Sequence, residues 1–136
     1  MINSPKKIAI ILYPSIRSMT YLQAILDLKF EIDEIVLLKS NFNVDKIFFN
    51  EYSKYNYENF LKIEDFSLIY DINSFCKSLD VKIYESDSSN INDATVINFV
   101  KKLKSDFILF TGGGILKKDI LTLGKKFIHI HPGVLP

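Results

Sequence analysis

Apolar residues recur along this chain in two rhythms: short unbroken runs, and longer stretches in which they return every third or fourth position. Ile8-Ala9-Ile10-Ile11-Leu12 is an unbroken run rich in β-branched residues and followed by Tyr13-Pro14. Apolar at every position, it predicts a strand covered on both faces, as in a parallel sheet. From Ser15 to Lys29 the rhythm changes, with Met19, Leu22, Ile25 and Leu26 at helical spacing. That segment predicts a helix, with Ser15 or Ser18 as its cap. A second strand is expected at Glu34-Ile35-Val36-Leu37-Leu38, so the chain opens as a βαβ unit with a right-handed crossover.

The alternation continues further along. Glu64-Asp65 precedes Phe66, Ile69, Tyr70, Phe75 and Leu79, a helical pattern with an acidic start. Val81 to Tyr84 reads as a strand, and Asp87-Ser88-Ser89-Asn90 as a loop. A clearer helix begins at Asn92 or Asp93 as cap and runs through Val96, Ile97, Phe99, Val100 and Leu103, with Lys101, Lys102 and Lys104 at its basic end. Phe107 to Phe110 is the next strand, Thr111-Gly112-Gly113-Gly114 a turn, and Ile115 to Leu123 a short helical pattern closed by Gly124. Phe127-Ile128-His129-Ile130-His131 is the last strand, ended by Pro132-Gly133. Strands alternating with helices predict one α/β domain: a Rossmann-like, doubly wound, mainly parallel sheet with helices on both faces.

Residues 41–62 are the least legible. They carry Phe48, Phe49, Tyr52, Tyr55, Tyr57 and Phe60 but neither Gly nor Pro. Aromatics among polar residues can stack on nucleic-acid bases, yet Asp45, Glu51 and Glu58 interrupt the stretch. Packing on a sheet edge or on a protein partner is the expected use.

Composition narrows the function classes. The 136 residues are 48% hydrophobic and 24% charged with a net charge of +1, an ordinary globular balance. That charge gives no footprint for nucleic acid or for an anionic membrane. Cys76 is the sole cysteine, which rules out an internal disulfide or a multi-cysteine metal site and points to a buried thiol. The run Ile8–Leu12 is too short for a signal-peptide core or a membrane span, and a cytoplasmic protein is expected.

In an open parallel sheet, ligands bind beyond the carboxyl ends of the strands, and three features fall there. After the first strand come Ser15, Arg17 and Ser18, hydroxyls and a guanidinium at a helix start where a phosphate or carboxylate can be held; simple capping is the competing use. Gly112, Gly113 and Gly114 allow close backbone approach to a flat ligand, or merely a tight turn. His129 and His131 are the chain's two histidines. On a strand, residues two apart face the same side, so both imidazoles are expected on one face while Ile128 and Ile130 pack on the other. Such rings suit acid–base and oxyanion work near neutral pH. As metal ligands the pair would still need a third donor.

Two segments, Asp106-Phe-Ile-Leu-Phe-Thr-Gly-Gly-Gly-Ile-Leu116 and Leu121-Thr-Leu-Gly-Lys-Lys-Phe-Ile-His-Ile-His-Pro-Gly-Val-Leu-Pro136, resemble the formyltransferase family, which acts on glycinamide ribonucleotide, methionyl-tRNA or amino sugars. The family signature is Asn-x-His-Pro-Ser-Leu-Leu-Pro or a close variant after a buried strand. Leu22-Gln23-Ala24-Ile25 is similar to the family's first helix. The resemblance implies transfer of a formyl group from 10-formyltetrahydrofolate to an amine, without a metal. It implies that His131 matches the family's catalytic histidine, that His129 stands where asparagine usually donates to the formyl oxygen, and that Thr111, Gly112, Gly113, Gly114, Ile115 and Leu116 form the pterin-binding segment. Ser15, Arg17 and Ser18 occupy the loop that holds a substrate phosphate in some members, without that loop's glycines. The family's downstream aspartate and Arg-Gly pair have no counterpart before Pro136, so the resemblance implies an amino-terminal portion, inactive alone.

The expected partner is a small-molecule amine, nucleotide-linked in some branches, with neither membrane nor nucleic acid, and with self-association as an option for an open sheet edge. Two other classes compete with this reading: a metal-dependent hydrolase built on His129 and His131, and a non-catalytic binding or assembly module that uses the Phe48–Phe60 aromatics.

Overall fold

The structure is a computed structural model and describes residues 7–39 and 76–130. The aromatic stretch Phe48–Phe60, the expected acidic helix start at Glu64-Asp65, and His131 lie outside the described residues. Within them the chain runs β1 (Lys7–Leu12), α1 (Ile16–Asp27), β2 (Glu31–Leu37), β3 (Lys82–Glu85), α2 (Ala94–Lys102), β4 (Phe107–Phe110), α3 (Lys118–Leu121) and β5 (Lys126–His129). The five strands form one sheet in the order β3-β2-β1-β4-β5, and every pairing is parallel. The expected α/β class is therefore present, with a sheet that is wholly parallel among the described residues.

The unbroken apolar runs divide by parity between two cores. Ile10, Leu12, Ile35, Leu37 and Leu109 face one side, where Leu22, Ile25 and Leu26 of α1 and Cys76 cover them. Ala9, Ile11, Val36, Ile108 and Phe110 face the other, beneath Val96 and Val100 of α2 and Ile120 of α3. β1, β2 and β4 thus feed both layers, which is why their apolar runs lack polar alternation. Cys76 is fully buried in the first core, as expected of a structural thiol.

Two element boundaries differ from the sequence expectation. The second strand starts at Glu31, three residues earlier than its apolar run, because Lys7 and Ile8 pair with Glu31 and Ile32 before the register shifts at Ala9, whose partner is Glu34. The shift turns Glu34 inward, where its Oε2 accepts from the Lys104 N–H at 2.6 Å. The pattern over Ile115–Leu123 condenses into the single turn Lys118–Leu121, which has no side-chain cap at Lys117. Residues 115–117 stay outside the helix, with the Ile115 carbonyl and the Lys117 N–H bonded to the Asn92 side chain.

The last strand departs from expectation in its surroundings. Its alternation is as predicted, with Phe127 packed into the α2-side core. Ile128 and Ile130, however, are 45% and 47% exposed rather than packed on the opposite face. In the described sheet β5 is an edge strand with β4 as its one neighbour, and α1 covers β1 and β2 instead. Among the described residues no helix is long and apolar enough to cross a membrane.

Candidate functional site

In the order β3-β2-β1-β4-β5 the chain winds outward from β1 in one direction, then returns to start again at β4. The loops leaving β1 and β4 therefore run apart at their shared boundary on the carboxyl edge, the place where open parallel sheets bind ligands. Residues 13–15 and 111–117 line that boundary.

Between these loops runs a chain of hydroxyls. Ser18 Oγ lies 2.7 Å from Thr111 Oγ1, Thr111 Oγ1 lies 3.3 Å from the Ile11 carbonyl, and Ser15 Oγ lies 3.0 Å from Ser18 Oγ. A carbonyl can only accept, so Thr111 gives its proton to Ile11 and receives that of Ser18. Ser18 is then left to accept from Ser15, and every proton runs the same way along the chain. Two backbone donors complete it: the Tyr13 N–H reaches Thr111 Oγ1 at 3.3 Å, and the Ser18 N–H reaches Ser15 Oγ at 3.2 Å.

This resolves the choice of cap in favour of Ser15, whose extended backbone precedes α1. It also separates the three residues first grouped as a phosphate holder. Ser18 is fully buried with its hydroxyl committed to Thr111, Ser15 is half-buried at the rim, and Arg17 lies in the first turn of α1.

The glycine loop divides in the same way. Thr111 and Gly112 are buried; a Cβ on Gly112 would stand 2.7 Å from Phe110 Cε2 and 3.2 Å from Tyr13 Cβ. Glycine is required there by close packing between β1 and β4. Gly113 and Gly114 face open space, and Gly114 has φ +103°, a backbone region suited to glycine. Ile115 is 82% exposed, whereas Leu116 turns back against the α2-side core.

His129 stands at the carboxyl end of β5, opposite Phe110 in register. Its ring tilts against the Phe110 ring at 5.2 Å between centroids. Its Nε2 lies 3.0 Å from the Gly112 carbonyl, which requires that Nε2 carry the proton, and in the neutral ring Nδ1 is then the acceptor. This bond ties the end of β5 to the glycine loop that follows β4.

A residue that the sequence suggested only as a cap also belongs to the site. Asn92 Nδ2 donates to the Ile115 carbonyl at 2.9 Å, and its Oδ1 accepts from the Lys117 N–H at 2.8 Å. The cap of α2 is Asp93, whose carboxylate accepts from the Thr95 N–H at 2.9 Å and from the Thr95 hydroxyl at 2.8 Å. Those bonds hold the Asp93 carboxyl below the usual aspartate range. No local pattern announces the Asn92 contact, because its partners lie 23 and 25 residues away.

A cavity of about 400 Å³ opens at the opposite, amino edge of the sheet, lined by Lys7, Phe30, Glu31, Asp33, Leu79 and Asp80 among others. Among the described residues its lining has no histidine, serine or threonine, and it lies away from the loops after β1 and β4. Among the described residues there is no group of three or more His, Cys, Asp or Glu side chains placed to hold a metal ion. Compared with known proteins, the chain matches no protein-family model, and a search of curated proteins gives no match either.

Proposed function

We propose that this chain carries formyl-transfer machinery, moving a one-carbon group from 10-formyltetrahydrofolate to a small-molecule amine on a formyltransferase-like form of the Rossmann-like fold. The observation that carries the reading is the bond from His129 Nε2 to the Gly112 carbonyl. It joins the two segments that resemble the family, the histidine strand and the glycine loop, at the carboxyl edge of the sheet. The exposed backbone at Gly113 and Gly114 and the apolar side chain of Ile115 offer a flat, partly apolar ring a surface to lie on.

In this reaction a new C–N bond forms to the acceptor as the donor's C–N bond breaks, and negative charge gathers on the formyl oxygen between the two events. Hydrogen-bond donors aimed at that oxygen lower the barrier. In this reading His131 supplies the donor or moves the proton shed by the amine. His129 spends its Nε2 proton on Gly112, so its part is to hold the loop in place. That accounts for a bulkier imidazole standing where the family's asparagine serves the substrate directly.

Titration with 5-formyltetrahydrofolate tests the reading. Saturable binding with amide protection over residues 111–116 is expected, and no binding would overturn it. Where formyl transfer is measured, His131→Ala should lower kcat by roughly 10²- to 10⁴-fold, the usual span for a lost acid–base group.

A further inference from the structure

We infer that Asn92 is a positioning residue that sets the backbone of the 113–117 loop, and with it the direction in which Ile115 faces. The carboxamide is one of the few side-chain groups with a donor and an acceptor in one plane. Here it pairs with a carbonyl and an N–H two residues apart, at 2.9 and 2.8 Å, as a neighbouring strand would. Gly113 and Gly114 have nothing packed where a Cβ would stand, and Ile115 is exposed. Side-chain contacts therefore do not fix the path of residues 113–115, and Leu116 is the side chain that anchors the loop's far end on the α2-side core.

Asn92 can act as a fixed point because the segment beneath it is itself stiffened. Between β3 and α2 the sequence reads Ser86-Asp87-Ser88-Ser89-Asn90-Ile91-Asn92. The Ser88 N–H is accepted by Ser86 Oγ at 3.0 Å, the Asn90 N–H by Ser88 Oγ at 3.1 Å, and the Asn92 N–H by Asn90 Oδ1 at 3.0 Å. Each polar side chain thus holds the backbone two residues on, a ladder that replaces regular secondary structure. Its lower end is tied to the sheet through the Ser86 N–H to Leu37 carbonyl bond and the Lys39 N–H to Ser88 carbonyl bond. Ile91 is buried in the α2-side core, and Asp93 caps α2 immediately afterwards. The glycine loop is therefore placed by reference to β2 and α2, elements to which it is not adjacent in sequence.

The positional role is decided by the protein alone; its consequence for ligand binding rests on the formyl-transfer reading. Amide exchange of the full chain is compared for wild type, Asn92→Ala and Asn92→Asp. Alanine removes both bonds but leaves the ladder below intact. Aspartate keeps the acceptor for Lys117 and sets a carboxylate oxygen against the Ile115 carbonyl. Alanine should raise exchange over residues 113–117, the Lys117 N–H above all, roughly tenfold, the scale of two lost exposed hydrogen bonds, and aspartate should raise it by less, with α2, β4 and the melting temperature unchanged. Unchanged exchange in the alanine variant, or full rescue by aspartate, would overturn the inference. If the wild type binds 5-formyltetrahydrofolate, Asn92→Ala should weaken that binding by about the same factor; loosened exchange with unaltered binding would overturn the role in the site. A wild type that binds no reduced folate overturns the formyl-transfer reading instead, and the exchange result then decides the inference by itself.

Discussion

Thr111 and Gly112 are gripped from within the molecule, whereas Gly113 to Lys117, the next residues along, are held from outside. The root of the loop has four partners: Ser18 and the backbone of Ile11 and Tyr13 bind Thr111, and His129 binds Gly112. Over Gly113 to Ile115 the tip has a single side-chain partner among the described residues, the carboxamide of half-buried Asn92, before Leu116 turns back to the core. Buried hydrogen bonds are expensive to lose because the stranded group has no water to turn to, while exposed ones are readily exchanged for solvent. Stability is accordingly invested in the root. The tip has precision at little energetic cost, a division suited to a loop that must present backbone to a ligand.

The comparison is broken most sharply at Thr111. Thr111→Val keeps the shape but removes the acceptor for the Ser18 hydroxyl and the Tyr13 N–H, and urea denaturation should show a loss of about 2–3 kcal/mol. A loss under about 0.5 kcal/mol would mean that the hydroxyl chain does not bear on stability. The adjacent glycines give a smaller, paired effect. Gly112→Ala drives a methyl into the buried Phe110 ring and should cost about 1–3 kcal/mol. Gly113→Ala meets nothing within 4 Å and its φ is not positive, so it should lie within about 0.5 kcal/mol of wild type or be slightly more stable. Equal effects at the two positions would erase the distinction between root and tip.

The smallest expected effect is one of pH. The bonds from Thr95 hold the Asp93 carboxyl below its ordinary range. A carboxyl whose pKa is lower folded than unfolded adds stability above the unfolded value, about 3.9, and that contribution disappears as pH falls through the folded value. Below about pH 4, the first turn of α2 beside Asn92 should therefore show faster amide exchange, and Asp93→Asn should flatten that dependence. The root carries no carboxylate in its hydroxyl chain, so its protection should stay level over the same range.

Much of the fold is legible in the chain because parallel strands announce themselves by runs without polar interruption. Ile8–Leu12 and Phe107–Phe110 are such runs and lie at β1 and β4, paired side by side. Helix starts are less certain, since serine and asparagine can serve either as caps or as long-range partners. Ser15 and Ser18 were equal candidates, and one caps while the other feeds Thr111. Asn92 and Asp93 divide in the same manner, with the second as cap and the first as clamp. In the candidate site, the placing of His129 and the glycine loop at carboxyl strand ends is legible in the sequence. Their contact is not, and neither is the inward use of Ser18, because the first depends on β4 and β5 being neighbours and the second on β1 and β4.

Local physics, written into residue order, determined the strands, the helices with their capping alternatives, the sharing of β1, β2 and β4 between two apolar layers, and the edge at which polar groups gather. Only the tertiary arrangement decided that β4 lies against β1, that β5 leaves Ile128 and Ile130 exposed, and that Asn92 reaches the 113–117 loop. The reason lies in range. Helical and strand preferences act between residues a few positions apart, whereas these contacts join segments separated by tens of residues and exist only once the order of strands in the sheet has been chosen.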